Sequence, residues 1–151
     1  MESPRTELLE IYKLHAELAD RVSQRREAAN RLHIGLLSGL GLFVGLFAEF
    51  GIAESRTGDV FLAAGILGGM ISFSWWVVIR SYRQLNTGKF KVLDELEDRL
   101  AFPFFRREWE ILGAGDQPGR YWKLTTVEAF LPIMCGILSA ILIIISLIAV
   151  S

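Results

Sequence analysis

Three long apolar runs constrain this chain more than anything else: Leu32 to Phe50, Val60 to Ile79 and Phe130 to Val150. Each holds roughly 20 residues, which at about 1.5 Å per helical residue crosses a hydrocarbon core about 30 Å thick. His33 and Glu49 lie at the edges of the first run, and the second and third contain no charge. Core helices of a soluble protein normally carry a polar stripe. A chain of 151 residues has too little other material to cover three such helices. The expected fold class is therefore all-α, an integral membrane protein with three transmembrane helices plus cytoplasmic amphipathic helices.

The chain is 52% hydrophobic, only slightly above the about 45–50% of soluble domains, so distribution and not total marks it as a membrane protein. The net charge of −1 gives no basis for a nucleic-acid partner. The single cysteine, Cys135, lies inside the third run, which excludes an intramolecular disulfide and a cysteine zinc site. A small packing residue is the expected role. The charge-rich stretch before the first run is much longer than a basic signal-peptide n-region, and no lipidation signal is seen.

Basic residues set the expected orientation. Arg5, Lys13, Arg21, Arg25, Arg26 and Arg31 precede the first span, and only Arg56 lies between the first and second. The segment between the second and third spans carries Arg80, Arg83, Lys89, Lys91, Arg99, Arg106, Arg107, Arg120 and Lys123. The positive-inside rule then puts the N-terminus and this segment in the cytoplasm, and the Ala53–Asp59 turn and Ser151 outside. Trp75, Trp76, Tyr82 and Trp122 fit as interfacial anchors. The resulting division is a cytoplasmic amphipathic helix over 1–31, spans over 32–50 and 60–79, an external turn over 51–59, a cytoplasmic helical region over 80–129 and a span over 130–151.

Ser3-Pro4 has the form of an N-cap followed by proline at the first helical position. Leu8, Ile11, His15, Leu18, Val22, Ala29 and Leu32 then recur at helical spacing, broken by Arg25, so this helix is expected to run straight into the first span. Its stripe needs a partner, and Leu18 is the expected assembly contact. In the long loop, Arg80 to Asn86 extends the second span and Thr87-Gly88 is expected to break it. A second amphipathic helix is expected over Lys89 to Leu100, with Phe90, Leu93, Leu96 and Leu100 inward and Asp94, Glu95, Glu97 and Asp98 outward. That acidic run is expected to be a solvated face, with Glu95 and Glu108 able to lock the cytoplasmic fold against a basic partner. Phe104 to Leu112 is expected to be a short helix or turn, Gly113 to Gly119 an exposed loop, and Thr125 or Thr126 a cap for the third span, which tolerates or kinks at Pro132.

Glycines recur at four-residue spacing: Gly35 and Gly39, Gly41 and Gly45, Gly65 and Gly69, with Ala64, Gly68 and Ser72 forming a further series. Lipid tails are as apolar as leucine, so bilayer helices associate through close packing that small residues permit. These glycines are the expected packing residues of an oligomer. Glu49, an ionisable group at the outer end of a span, is the candidate functional acid. His15 and His33 lie about five helical turns apart and lack a second ligand at i+4, so no metal site is expected. No nucleophile and base lie at suitable spacing for a hydrolase. The expectation is no enzyme and no cofactor.

The order Asn86, Lys89-Phe90, Val92-Leu93, Glu95-Leu96-Glu97, Leu100, then Glu108-Trp109, Arg120-Tyr121, Leu124-Thr125, Glu128 and Pro132 resembles the RipA-like family of small bacterial octameric inner-membrane proteins. The resemblance implies a bacterial inner-membrane location, a ring-like homo-octamer with membrane lipids around it, and an association with growth of an intracellular pathogen in host cells. It implies no chemistry. The expected function is an oligomeric membrane scaffold, with an ion or small-solute channel as the alternative.

Overall fold

The computed structural model describes residues 4–50, 57–100, 102–112 and 124–150. The Ser3 cap, most of the Ala53–Asp59 turn, the Gly113–Gly119 loop and the Trp122 anchor lie outside them. The described residues form four helices and no strand: α1 (Pro4–Glu49), α2 (Thr57–Glu97), α3 (Phe104–Ile111) and α4 (Leu124–Val150). By length and composition α1, α2 and α4 can each cross a membrane, with candidate stretches Arg5–Glu49, Gly58–Glu97 and Glu128–Ile148.

At 46 residues α1 is about 69 Å long at 1.5 Å per residue, more than twice the hydrocarbon thickness. It is continuous from the charged stretch into the apolar one, as the absence of Gly and Pro before the first span predicts. The expected break at Thr87-Gly88 does not occur: α2 passes through both residues and ends at Glu97. A single glycine costs a helix only about 1 kcal/mol, and Thr87 Oγ donates to the Arg83 carbonyl at 2.9 Å, so its hydroxyl is satisfied within the helix. The separate helix expected over Lys89–Leu100 is thus the end of α2. Helix α4 starts at Leu124, ahead of both threonines expected to cap it, and contains Pro132 in its interior.

The chain forms two compact units. One comprises Met1–Glu27 with Arg80–Val127, and the other Ala28–Ile79 with Glu128–Ser151. The first holds the charged stretches, which the sequence reading places outside the membrane, and is termed the extramembrane unit. Ala19, Val22 and Leu93 are buried in it, and Phe105 stacks at a tilt on Tyr12 (6.2 Å between centroids) and edge-on against Phe90 (5.6 Å). The second holds the apolar stretches, which the sequence reading places in the membrane, and is termed the membrane unit. Its interior contains Ala64, Trp75 and Ile79 together with Ser72, Ser139 and Ser146.

Candidate functional site

The most unusual group in the extramembrane unit is Glu97. Its side chain is only 2% exposed, yet it carries a carboxylate, and burial of such a group requires hydrogen-bond partners. Three donors supply them. Tyr12 Oη donates to Oε1 at 2.9 Å, the Phe105 amide to the same oxygen at 2.7 Å, and the Arg106 amide to Oε2 at 3.1 Å.

The reason lies in the start of α3. The residue before that helix is Pro103, which makes no side-chain capping bond. The first amides of a helix have no partner within it, so an acceptor must come from elsewhere. Glu97, from the last turn of α2, supplies a negative charge at the positive end of the α3 dipole. Arg106 strengthens the join from outside: its Nε donates to Asp94 Oδ1 at 2.8 Å, and its Nη2 lies 2.7 Å from Asp94 Oδ1 and 2.8 Å from Asp98 Oδ1.

Electrostatics follow from this arrangement. Burial pushes the Tyr12 phenol well above its ordinary value, and the neighbouring Glu97 carboxylate raises it further through the hydrogen bond and its charge. The bonds to Asp98 and Asp94 raise the Arg106 guanidinium and hold it charged. Glu97 and Tyr12 lock α3 to α1 and α2.

The expectation for the acidic run is therefore corrected. Asp94 and Asp98 pair with Arg106, Glu97 is buried and not outward, and Glu95 and Glu108, expected to hold the fold, are exposed. Spacing carried the missing signal: Glu97 stands four residues after Leu93 and seven after Phe90, on the apolar stripe itself.

In the membrane unit the polar residues turn inward. Trp75 Nε1 donates to Asn30 Oδ1 at 2.8 Å. The buried His33 stacks on the Trp75 ring with centroids 5.8 Å apart, and its Nδ1–H donates to the Ala29 carbonyl at 2.8 Å. Ser139 Oγ donates to the Cys135 carbonyl at 2.8 Å, and Ser146 Oγ donates to the Gly58 carbonyl. His15 bonds the Ile11 carbonyl of its own helix at 3.0 Å. Among the described residues no group of three or more His, Cys, Asp or Glu could hold a metal ion.

The glycines separate into two sets. A Cβ at Gly65 would fall 2.7 Å from Ile143 Cγ1 and 3.0 Å from the Ser139 carbonyl oxygen, and one at Gly68 would fall 2.6 Å from Ser139 Oγ. These positions seat α4 against α2 within the subunit. Gly69 is looser, at 4.0 Å from Ser139 Cβ. A Cβ added at Gly35, Gly39, Gly41 or Gly45 would meet nothing within 4 Å among the described residues beyond its own helix backbone. The first-span glycines thus face away from the subunit's own packing, whereas Gly65 serves a contact inside it. Leu18 is half-buried and Glu49, the last residue of α1, is exposed.

Alongside the α2–α4 contact runs an open apolar groove of about 360 Å³, lined by Gly69, Ser72, Phe73, Trp76, Pro132 and Gly136 among others. Ser72 Oγ is buried there without a hydrogen-bond partner.

The sequence that forms these helices matches a known family. The model of the octameric membrane protein family, 8xMP, matches residues 9–148. The chain belongs to this family. The match takes in all but the first residues of α1 and the last of α4, so both units are part of the 8xMP domain. No curated protein and no solved structure matches the chain. As an 8xMP member with three apolar spanning helices it is a multi-pass membrane protein that forms a homo-oligomer.

Proposed function

We propose that this protein is a membrane scaffold, an octameric assembly that holds its extramembrane units in fixed array and is neither an enzyme nor a solute pore. The observation that carries the reading is where each span puts its polar groups. Ser72, Ser139, Ser146 and His33 are buried inside the subunit. The outward surface is made of residues such as Leu42, Phe43, Met70, Phe73, Ile144 and Ile148, each more than half exposed. A conducting path needs rings of polar or charged groups, and the spans leave outside only Ser38, Ser74 and the terminal Glu49. We place the assembly in a bacterial inner membrane on the family resemblance, and its charged unit in the cytoplasm on the distribution of basic residues.

The test is flux through reconstituted vesicles. Parent protein and Glu49→Gln should both give the cation leak of empty vesicles. A current from the parent that disappears in Glu49→Gln would establish the channel reading, with Glu49 carboxylates ringing the outer mouth. Reporter fusions check the orientation: one active only outside should work after Ser151, and a cytoplasmic one should work within Gly113–Gly119.

A further inference from the structure

The extramembrane unit is covered on one side only. Helices α1 and α2 meet through Tyr12 and Glu97, and α3 lies across one side of the pair. Phe105 meets Tyr12 of α1 and Phe90 of α2, and Arg106 bonds Asp94 and Asp98 of α2. On α2, Leu93 and Glu97 mark the interior. At about 100° per residue, Phe90, Asp94 and Asp98 fall on one flank of them, and Leu85, Val92 and Arg99 on the other. On α1, Ala19 and Val22 mark the interior. Tyr12 and Leu9 fall on one flank, and Ile11, Leu14 and Leu18 on the other. Because α3 touches both helices, the flanks it covers are one side of the pair. The remaining two flanks form the opposite, open side.

Both sides are apolar. On the open side Ile11, Leu14, Leu85 and Val92 are each 39% exposed or more. On the α3 side Phe102, Phe104 and Ile111 are each more than half exposed. Phe104 and Ile111 share one stripe of α3, turned away from the inward Phe105, and Phe102 closes edge-on against Phe104 at 4.8 Å. In the charged, water-facing part of the chain such surface marks an interaction site. Two opposite sides limit the occupant. A bilayer surface is one plane and a single foreign partner takes one site, so either leaves the other side in water. A second copy of this chain covers both, because the α3 side of one subunit meets the open side of the next. The family is octameric. A patch that pairs with itself stops at two copies, whereas a closed ring needs two different patches on each subunit. Charge agrees with this match. Glu108 stands on the outer stripe of α3 between Phe104 and Ile111, while Arg107 is paired with Glu110 at 2.9 Å. Arg99 is exposed beside Val92 on the open side.

We infer that Phe102, Phe104 and Ile111 of one subunit pack on the open side of α1 and α2 of the next, over Ile11, Leu14 and Val92, with Glu108 meeting Arg99 of the partner subunit. The contact is head-to-tail and propagates until the ring closes. It lies in the extramembrane unit and is separate from the first-span glycines, so a particle made smaller by Gly39→Leu keeps it between the subunits that remain joined. The inference rests on the octameric assembly and is independent of whether that assembly is a scaffold or a pore.

Disulfide trapping tests it. In a Cys135→Ala background, one cysteine replaces a residue of the α3 side (Phe104 or Ile111) and a second a residue of the open side (Leu14 or Val92), and the four pairings are oxidised in membranes. A disulfide forms only when the Cα atoms approach within about 7 Å, and the two positions point to opposite sides of their own subunit, so a link joins two subunits. At least one pairing should give a covalent ladder reaching the octamer on a denaturing gel, because every subunit is linked on both sides. No link from any pairing in particles whose native mass is octameric would overturn the inference and leave a bilayer or another protein as the cover. Dimers from a single cysteine at Leu14 or Val92 would also overturn it, since the open side would then pair with its own copy. A native mass showing no oligomer in the parent would instead overturn the assembly itself. A second measurement needs no cysteine. Glu108→Arg and Arg99→Glu should each lower the temperature at which the octamer falls to smaller mass, and the double variant should recover it. Losses that simply add in the double variant would overturn the contact.

Discussion

Removing the Glu97 carboxylate should release α3 while leaving the rest of the protein folded. The carboxylate accepts bonds from Tyr12, the Phe105 amide and the Arg106 amide. A hydrogen bond to a charged group contributes about 1.5–3 kcal/mol, and a buried donor left without a partner costs its full desolvation. The three bonds share one acceptor group, so they do not add. For Glu97→Ala we work with about 3 kcal/mol, near the total for two of them. Glu97→Gln keeps the shape and one oxygen but turns the other acceptor into a donor facing an N–H, and about 1.5 kcal/mol is expected.

With about 1.4 kcal/mol per factor of ten, the opening equilibrium of α3 rises about 100-fold in the alanine variant and about 10-fold in the glutamine variant. Amide hydrogen exchange reads this opening directly. The assay compares peptides covering 102–112 with peptides from α4 over 132–146, whose amides should not change. Arg106→Ala should matter less than Glu97→Ala, since its bridges to Asp94 and Asp98 are at the surface. If the α3 amides of Glu97→Ala exchange within threefold of the parent, the carboxylate does not hold the helix and the latch is wrong.

Gly65→Ala should destabilise the protein by the about 1–3 kcal/mol typical of overpacking and so lower the Tm, because its Cβ would press on the Ser139 backbone oxygen and Ile143; Gly69→Ala is the tolerated control, and equal Tm values for the two would refute the close α2–α4 contact. The Tyr12 phenol is raised in the folded state, so its contribution is complete below the unfolded value of about 10 and is lost as pH rises above it. The parent should therefore lose stability above pH about 10 more steeply than Tyr12→Phe, and one phenolate absorbance step should be delayed in the parent relative to the remaining tyrosines; coincident titration curves would count against the Tyr12–Glu97 bond.

The spans were the most legible part of the sequence because length and absence of charge decide them without tertiary knowledge. The continuity of α1 followed from the lack of any breaker before His33. The structure differs where tertiary contacts outweigh local preference. Gly88 lies in open space and Thr87 bonds its own helix, so neither ends α2. As an acid among acids Glu97 reads as outward, although its spacing from Phe90 and Leu93 places it on the buried stripe. Pro103 was a second clue, since it has no side chain to cap a helix and α3 had to find its acceptor elsewhere. The glycines set a harder limit. Gly35-xxx-Gly39 and Gly65-xxx-Gly69 have the same form, yet a Cβ at Gly65 would meet α4 at once and one at Gly35 would meet none of the other described helices. Spacing identifies a face on which backbones can approach, and only packing identifies what approaches it.

The two units are held by different means because their solvents differ. In water, the extramembrane unit can expose Asp94, Asp98 and Arg106 and bury a single carboxylate on three donors. In lipid there is no hydrophobic drive between helices, and the membrane unit relies on Gly65 and Gly68 for close approach and on inward serines for polar contact. A double comparison separates the two. Glu97→Ala should loosen α3 by exchange and leave the native mass octameric. Gly39→Leu should reduce the mass and leave α3 exchange as in the parent, since a Cβ there would meet nothing within 4 Å among the described residues beyond its own helix. If Gly39→Leu frees α3 as well, the neighbouring subunit is part of what holds that helix, and the latch formed by Glu97 and Tyr12 is completed only in the assembly.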